Sequence, residues 1–222
     1  MKRYIIAIGI LATGCNTAGV ESADKISGQP AHQETGRAPV NKDIQTGDLI
    51  FHTSRSDQSR AIQIATNSRY SHMGIIFQEG AEYFVYEAVQ PVKLTRLSNW
   101  IARGENGKYV VKRLKNSDAV LTEAGIAKMK STGRKYLGKA YDLKFEWSDD
   151  KMYCSELVWK IYKETFNIEI GKPERMGNFD LSDETVRKKA RERYGDHIPE
   201  DEPVITPDAM FRAENLITIT EH

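Results

Sequence analysis

Cysteine is almost absent from this chain, with only Cys15 and Cys154 among 222 residues. Two thiols exclude a disulfide-stapled scaffold. No Cys-x-x-Cys or His-x-x-x-His spacing exists, and the histidines at 32, 52, 72, 197 and 222 are scattered, so no metal is expected. There is no phosphate-cradling glycine loop and no Gly-x-Ser-x-Gly elbow, and nothing calls for a cofactor. Apart from the first dozen residues, no stretch approaches the apolar length needed to span a bilayer. Charge of one sign is lacking too: 32 basic residues face 31 acidic ones, a formal net charge of +1. The one basic run, Arg187-Lys188-Lys189-Ala190-Arg191-Glu192-Arg193, has no interleaved aromatics for stacking. It reads as the solvated face of a helix, and no nucleic acid is expected as a partner.

What is present begins with a leader. Met1-Lys2-Arg3 precedes the short apolar run from Tyr4 to Ala12, which fits a secretory signal better than a permanent span. Leu11-Ala12-Thr13-Gly14-Cys15 resembles a bacterial lipobox, in which the cysteine is lipidated and becomes the first residue of the mature protein. Residues 1–15 are therefore read as a lipoprotein signal. Residues 16–40, rich in small and polar types with no apolar period, are read as a flexible tether. The membrane is then a partner through a lipid anchor, and the expected location is the bacterial cell envelope. Asn16 after the cysteine, rather than Asp, points to the outer membrane facing the periplasm.

Residues 41–222 are enough for one domain with a real core. Asp48 to His52 reads as a strand, and Ser54 to Thr66 contains a helix with Ser56 or Asp57 as cap. His72–Phe77 and Tyr83–Val89 form the best hairpin, Lys108–Leu114 another strand, and Leu216–Thr220 a terminal one. Helices are expected over Thr122–Leu137, around Cys154, and over Ser182–Tyr194. Strands and helices are segregated rather than alternating, which argues α+β.

Chemistry concentrates in two places. With Glu79-Gly80 as a two-residue turn, His72 lies opposite Glu87 on the same face of the hairpin, with Cβ atoms about 5 Å apart. A carboxylate there would hold one imidazole nitrogen and leave the other free as a base. A one-residue slip would separate the two groups. Ser148-Asp149-Asp150 offers caps before the apolar stripe Leu157, Val158, Ile161 and Tyr162, placing Cys154 near a helix start, where the dipole favours negative charge. With Cys15 consumed by lipidation, Cys154 has no disulfide partner; it is either a buried small hydrophobe or a nucleophile. Ser56, Gln58, Ser59, Gln63 and Tyr70 flank the His strand and read either as a pocket lining or as a solvated helix face.

Five segments then occur in order: Gly47-Asp48-Leu49-Ile50-Phe51, Ser71-His72-Met73-Gly74, Tyr86-Glu87-Ala88-Val89, Gly138-Lys139-Ala140-Tyr141-Asp142 and Tyr153-Cys154-Ser155-Glu156-Leu157-Val158-Trp159. Together they resemble the YiiX-type group of circularly permuted NlpC-like, papain-related proteins. The resemblance implies a permuted papain-like α+β fold, an antiparallel sheet or half-barrel packed against helices, with 41–222 as the catalytic domain. It implies Cys154 as nucleophile, His72 as base and acid, Glu87 as the residue that orients His72, and Tyr141 at the oxyanion site. Ala140 stands where the group often has Pro. The implied activity is a cell-envelope cysteine hydrolase that cleaves an amide, in a cell-wall peptide or an acyl-amide, through a thioester. A lipid-directed acyl hydrolase or acyltransferase is the alternative, and a non-catalytic binding protein is the third reading. The partner is a peptide or acyl-containing substrate.

Overall fold

A computed structural model describes residues 43–222. The expected signal, its Cys15 and the tether over 16–40 lie outside the described residues.

The chain opens with β1 (Leu49–His52), α1 (Asp57–Ala65) and the hairpin β2 (His72–Glu79) and β3 (Glu82–Glu87). β4 (Lys93–Arg96), α2 (Leu97–Arg103), β5 (Val110–Leu114), α3 (Ser117–Val120) and α4 (Glu123–Arg134) follow. Next come β6 (Ala140–Tyr141), β7 (Lys151–Met152), α5 (Cys154–Phe166), β8 (Glu174–Arg175), α6 (Glu184–Tyr194), β9 (Pro203–Val204), α7 (Pro207–Phe211) and β10 (Leu216–Glu221). One sheet has the order β10-β5-β1-β2-β3-β4, antiparallel at every pairing. This is the expected α+β architecture.

Period-two alternation divides the core between the faces of that sheet. Leu49, Phe51, Met73, Ile75 and Phe77 join a large cluster with Leu157, Val158, Ile161 and Tyr162 of α5. Ile50, Ile76, Val85 and Val111 face the other way, against Leu97 and Trp100 of α2. Gly47 turns the chain into β1 with φ +93°, and a Cβ there would lie 2.6 Å from Leu121 Cδ1. Asp48 beside it is fully buried and paired with Arg113 at 2.7 Å.

The helix caps follow the sequence in part. Ser56 caps α1 by accepting from Ser59 N, Thr122 caps α4, and Asp183 caps α6. Two expectations need correction. The hairpin turn is Gly80-Ala81, with Glu79 opposite Glu82 and Ile75 opposite Tyr86, so the register is displaced by two from the expected one. A shift of two keeps every side chain on its face. Ser148-Asp149-Asp150 does not cap α5, because Lys151-Met152 first pairs with β6 and the helix starts at Cys154 itself. Asp149 instead meets Lys160 at 2.8 Å. α2 and β4 had no counterpart in the expectation, although Leu97, Trp100 and Ile101 have helical spacing.

Candidate active site

Three elements meet at the site: the first residue of β2, the last residue of β3 and the first residue of α5. His72 is 8% exposed, Glu87 is fully buried and Cys154 is 2% exposed. Groups buried to this extent take their charge states from their partners.

Glu87 Oε2 lies 2.6 Å from His72 Nε2. Its other oxygen accepts from Thr95 Oγ1 at 2.6 Å and from the Arg103 guanidinium. Burial would push the Glu87 carboxyl up, but the hydrogen bond to His72, with Thr95 and Arg103 behind it, holds it down at about 2. Burial likewise works against charge on His72. Hydrogen bonds to Cys154 and Glu87 overcome it and raise the imidazole to about 9. Since Nε2 belongs to Glu87, Nδ1 is the nitrogen left for the thiol.

The glycine of Ser71-His72-Met73-Gly74 makes this contact possible. A Cβ on Gly74 would lie 2.7 Å from Tyr86 O and 3.4 Å from Glu87 Cβ, so only glycine lets β3 come this close. Ser71 anchors the same point: its Oγ accepts from Ser54 N at 3.0 Å and shares a hydrogen bond with Ser59 Oγ.

Behind His72 stands an aromatic backing. His52 is the cross-strand partner of His72, with ring centroids 5.3 Å apart, and stacks on Trp100 at 3.9 Å. Burial, then the nearby charges of His72 and Arg103, lower His52 to about 3, which keeps it neutral. His52 is thus a neutral packing surface for the His72 imidazole.

The Tyr-Cys-Ser-Glu segment earns its composition residue by residue. Tyr153 OH accepts from Ile205 N at 3.2 Å, and Ser155 Oγ donates to Ile205 O at 2.7 Å. Glu156 Oε2 accepts from Tyr153 N at 3.4 Å and Oε1 pairs with Lys160 at 2.9 Å. Burial raises the Glu156 carboxyl to about 7. These contacts fix the first turn of α5 and hence the sulfur position.

Tyr141 closes the site. Its backbone N–H donates to Gln90 Oε1 at 2.7 Å, and its hydroxyl accepts from Gln58 Nε2 at 3.0 Å, leaving the phenolic proton available to a further acceptor. Burial, followed by the charge of Cys154, raises the phenol well above its ordinary range, so it remains a donor. Ile62 and Tyr141 line two hollows at once. One holds His72, Ser54, Gln58 and Gln90. The other holds Cys154, Ser155 and residues of α1 and α6.

The structure thus gathers His72, Glu87, Cys154 and Tyr141, and places Ser56, Gln58 and Ser59 at the cleft. Gln63 and Tyr70, which read either as pocket lining or as helix face, stand outside both hollows. Gln63 donates to Arg69 O at 2.9 Å, and Tyr70 packs against Phe51 and Phe211. Thr95, Arg103, His52 and Trp100 were not singled out. Only the helical spacing of Leu97, Trp100 and Ile101 hinted that α2 would bring Arg103 there. The basic run lies on α6, where Lys189 and Arg193 edge the second hollow.

Comparison with known proteins agrees with this geometry. A family model described as permuted papain-like amidase enzyme, YaeF/YiiX, C92 family, matches residues 43–220. The uncharacterized protein YiiX of Escherichia coli (strain K12) is 47% identical over 177 residues, 80% of this chain and 86% of that protein. A crystal structure of a protein described as metalloprotein yiiX from Escherichia coli O157:H7 has a TM-score of 0.77 and 47% identity, covering 81% of this chain and 98% of that one.

Proposed function

This chain belongs to the permuted papain-like amidase family, and from that premise we propose that it is a cell-envelope cysteine hydrolase in which Cys154, His72 and Glu87 form the catalytic set. The observation that carries the reading is the His72–Glu87 contact of 2.6 Å, with Cys154 close enough to help Glu87 raise the His72 imidazole.

In this mechanism Glu87 fixes the imidazole with Nδ1 toward sulfur. His72 takes the thiol proton, and Cys154 attacks the carbonyl carbon of an amide. The oxyanion forms between the Cys154 backbone N–H, at the start of α5, and the Tyr141 hydroxyl. His72 then gives its proton to the leaving amine as the C–N bond breaks, leaving a thioester on Cys154. Water, activated by His72, adds to that thioester, and the acid departs as the thiol reforms.

The related crystal structure carries the word metalloprotein. Among the described residues of this chain, no group of three or more His, Cys, Asp and Glu side chains is arranged to hold a metal ion. His72 Nε2 and both Glu87 oxygens are already engaged.

Incubating the full chain with muropeptides and with N-acyl amides, and reading products by mass, tests the activity. Amide cleavage that disappears in Cys154→Ser is the expected result; cleavage that survives the substitution overturns the assignment. The envelope location rests on the lipobox around Cys15. Membrane fractionation of Cys15→Ser should show loss of the anchored form, and unchanged fractionation would remove that part of the proposal.

A further inference from the structure

Tyr141 stands between two surfaces of opposite character. On one side is the polar cleft of His72, Ser54, Gln58 and Gln90; on the other is the apolar hollow of Cys154, with Val186 and Ala190 of α6 in its wall. The backbone of Tyr141 is set from the nucleophile's side. Tyr141 pairs with Met152 in the β6–β7 ladder, and Met152 lies just ahead of Cys154 at the start of α5. Gln90 Oε1 adds to this by accepting from Tyr141 N at 2.7 Å. These contacts fix the main chain and leave the ring free to turn about its two side-chain torsions.

The hydroxyl end is held from the base's side. Gln58 Nε2 donates to the Tyr141 hydroxyl at 3.0 Å. Gln58 lies in the first turn of α1, which Ser56 caps by accepting from Ser59 N at 3.1 Å. The next residue, Ser59, is buried and shares a hydrogen bond with the hydroxyl of Ser71, the residue before His72. One turn of helix therefore ties the phenol to the strand that carries the imidazole. A phenol has a single proton and accepts through its oxygen lone pairs. A donor placed on that oxygen leaves the proton to turn toward an acceptor elsewhere, whereas an acceptor in the same place would take it.

We infer that Gln58 is a positioning residue for acylation: by donating to the Tyr141 hydroxyl it directs the phenolic proton to the oxyanion formed when Cys154 attacks. It acts through Tyr141. The inference rests on Cys154 being the nucleophile and Tyr141 an oxyanion donor.

The test uses the full chain and p-nitrophenyl butyrate, reading the initial release of p-nitrophenolate and the butyrylated Cys154 peptide by mass. The S–C(acyl) bond forms as the C–O bond breaks, and p-nitrophenolate leaves with the electron pair. Iodoacetamide alkylates the same thiol by displacing iodide at a saturated carbon, with no oxyanion. The ratio of acylation rate to alkylation rate therefore isolates the oxyanion donor. Gln58→Glu, an acceptor only when ionised, should lower that ratio by about a hundredfold, as Tyr141→Phe does. Gln58→Leu removes the donor without supplying an acceptor and should lower it by about three- to tenfold. In a Tyr141→Phe background neither substitution should cost anything further. A native ratio in Gln58→Glu overturns the positioning role. So does a loss that persists in full without the phenol, which would give Gln58 another target. If neither Gln58 variant alkylates at Cys154, the residue is a structural part of α1 and the inference fails. No alkylation of Cys154 in the native chain overturns the nucleophile itself, and this inference with it.

Discussion

Glu87 Oε2 sits 2.6 Å from His72 Nε2 although neither residue is the other's cross-strand partner. The pairing of β2 with β3 ends at Ile75 and Tyr86, and the two side chains meet beyond it, across Gly74. The remaining Glu87 oxygen is held by Thr95 and Arg103. A carboxylate saturated in this way cannot rotate, and it fixes which imidazole nitrogen is free.

Glu87→Gln should lower kcat/KM by about 10²–10⁴-fold. The alkaline limb of the rate profile, expected near pH 9 from His72, should also move to lower pH, because the anion that supports the imidazolium is gone. Arg103→Ala, whose guanidinium is partly exposed, should lower kcat/KM by less, and its lost positive charge should not move the limb to lower pH. Stopped-assay pH profiles of the three proteins check this; an unmoved alkaline limb in Glu87→Gln contradicts it.

Tyr141→Phe should lower kcat by about 10²–10³ with little change in KM, as expected for a donor that acts only on the oxyanion. The ring stays in place, so the thermal midpoint should hold. A rise in KM at constant kcat would assign Tyr141 to ground-state binding instead.

Gly74→Ala tests the strand approach. Its Cβ would lie 2.7 Å from Tyr86 O, and relief requires β3 to shift. A loss of about 1–3 kcal/mol in urea unfolding is expected, together with weaker catalysis as Glu87 recedes. A variant of native stability and full activity would show that β2 and β3 have slack here.

Folding should depend on pH through the same pair. His72 binds its proton more tightly folded, at about 9 against 6.5, so its contribution is complete below 6.5 and lost as pH rises through about 9. Glu87, at about 2 against 4.5, contributes fully above 4.5 and loses this as pH falls toward 2. The urea midpoint difference between the native chain and His72→Ala should therefore be largest between pH 4.5 and 6.5. A difference that grows from pH 6.5 to 9 contradicts the ion pair.

The sequence disclosed this site unevenly. β-rich runs either side of Gly80 were enough to put His72 and Glu87 on one face, even though the turn lies one residue later than expected, because a register change of two preserves sidedness. The stripe Leu157, Val158, Ile161 and Tyr162 placed α5 and Cys154 near its start, but the caps expected at Ser148-Asp149-Asp150 are not the ones used: Glu156 accepts from Tyr153 N, and Tyr153 and Ser155 bond Ile205, fifty residues from Ser155. Thr95, Arg103 and Trp100, which stacks on His52 of β1, come from β4 and α2, short elements whose meaning lies in what they cover. The apolar hollow was illegible altogether. It is assembled from α1, α5 and α6, and the basic run on α6 showed its solvated side while Val186 and Ala190 supplied the wall.

The most direct measurement is the rate at which iodoacetamide alkylates Cys154 at pH 6, mapped to the Cys154 peptide, in the native chain and in His72→Ala. A base paired with the thiol predicts fast alkylation in the former and at least about tenfold slower reaction in the latter. Equal rates in the two proteins would contradict the pairing of His72 with Cys154, and with it the proposed catalytic set.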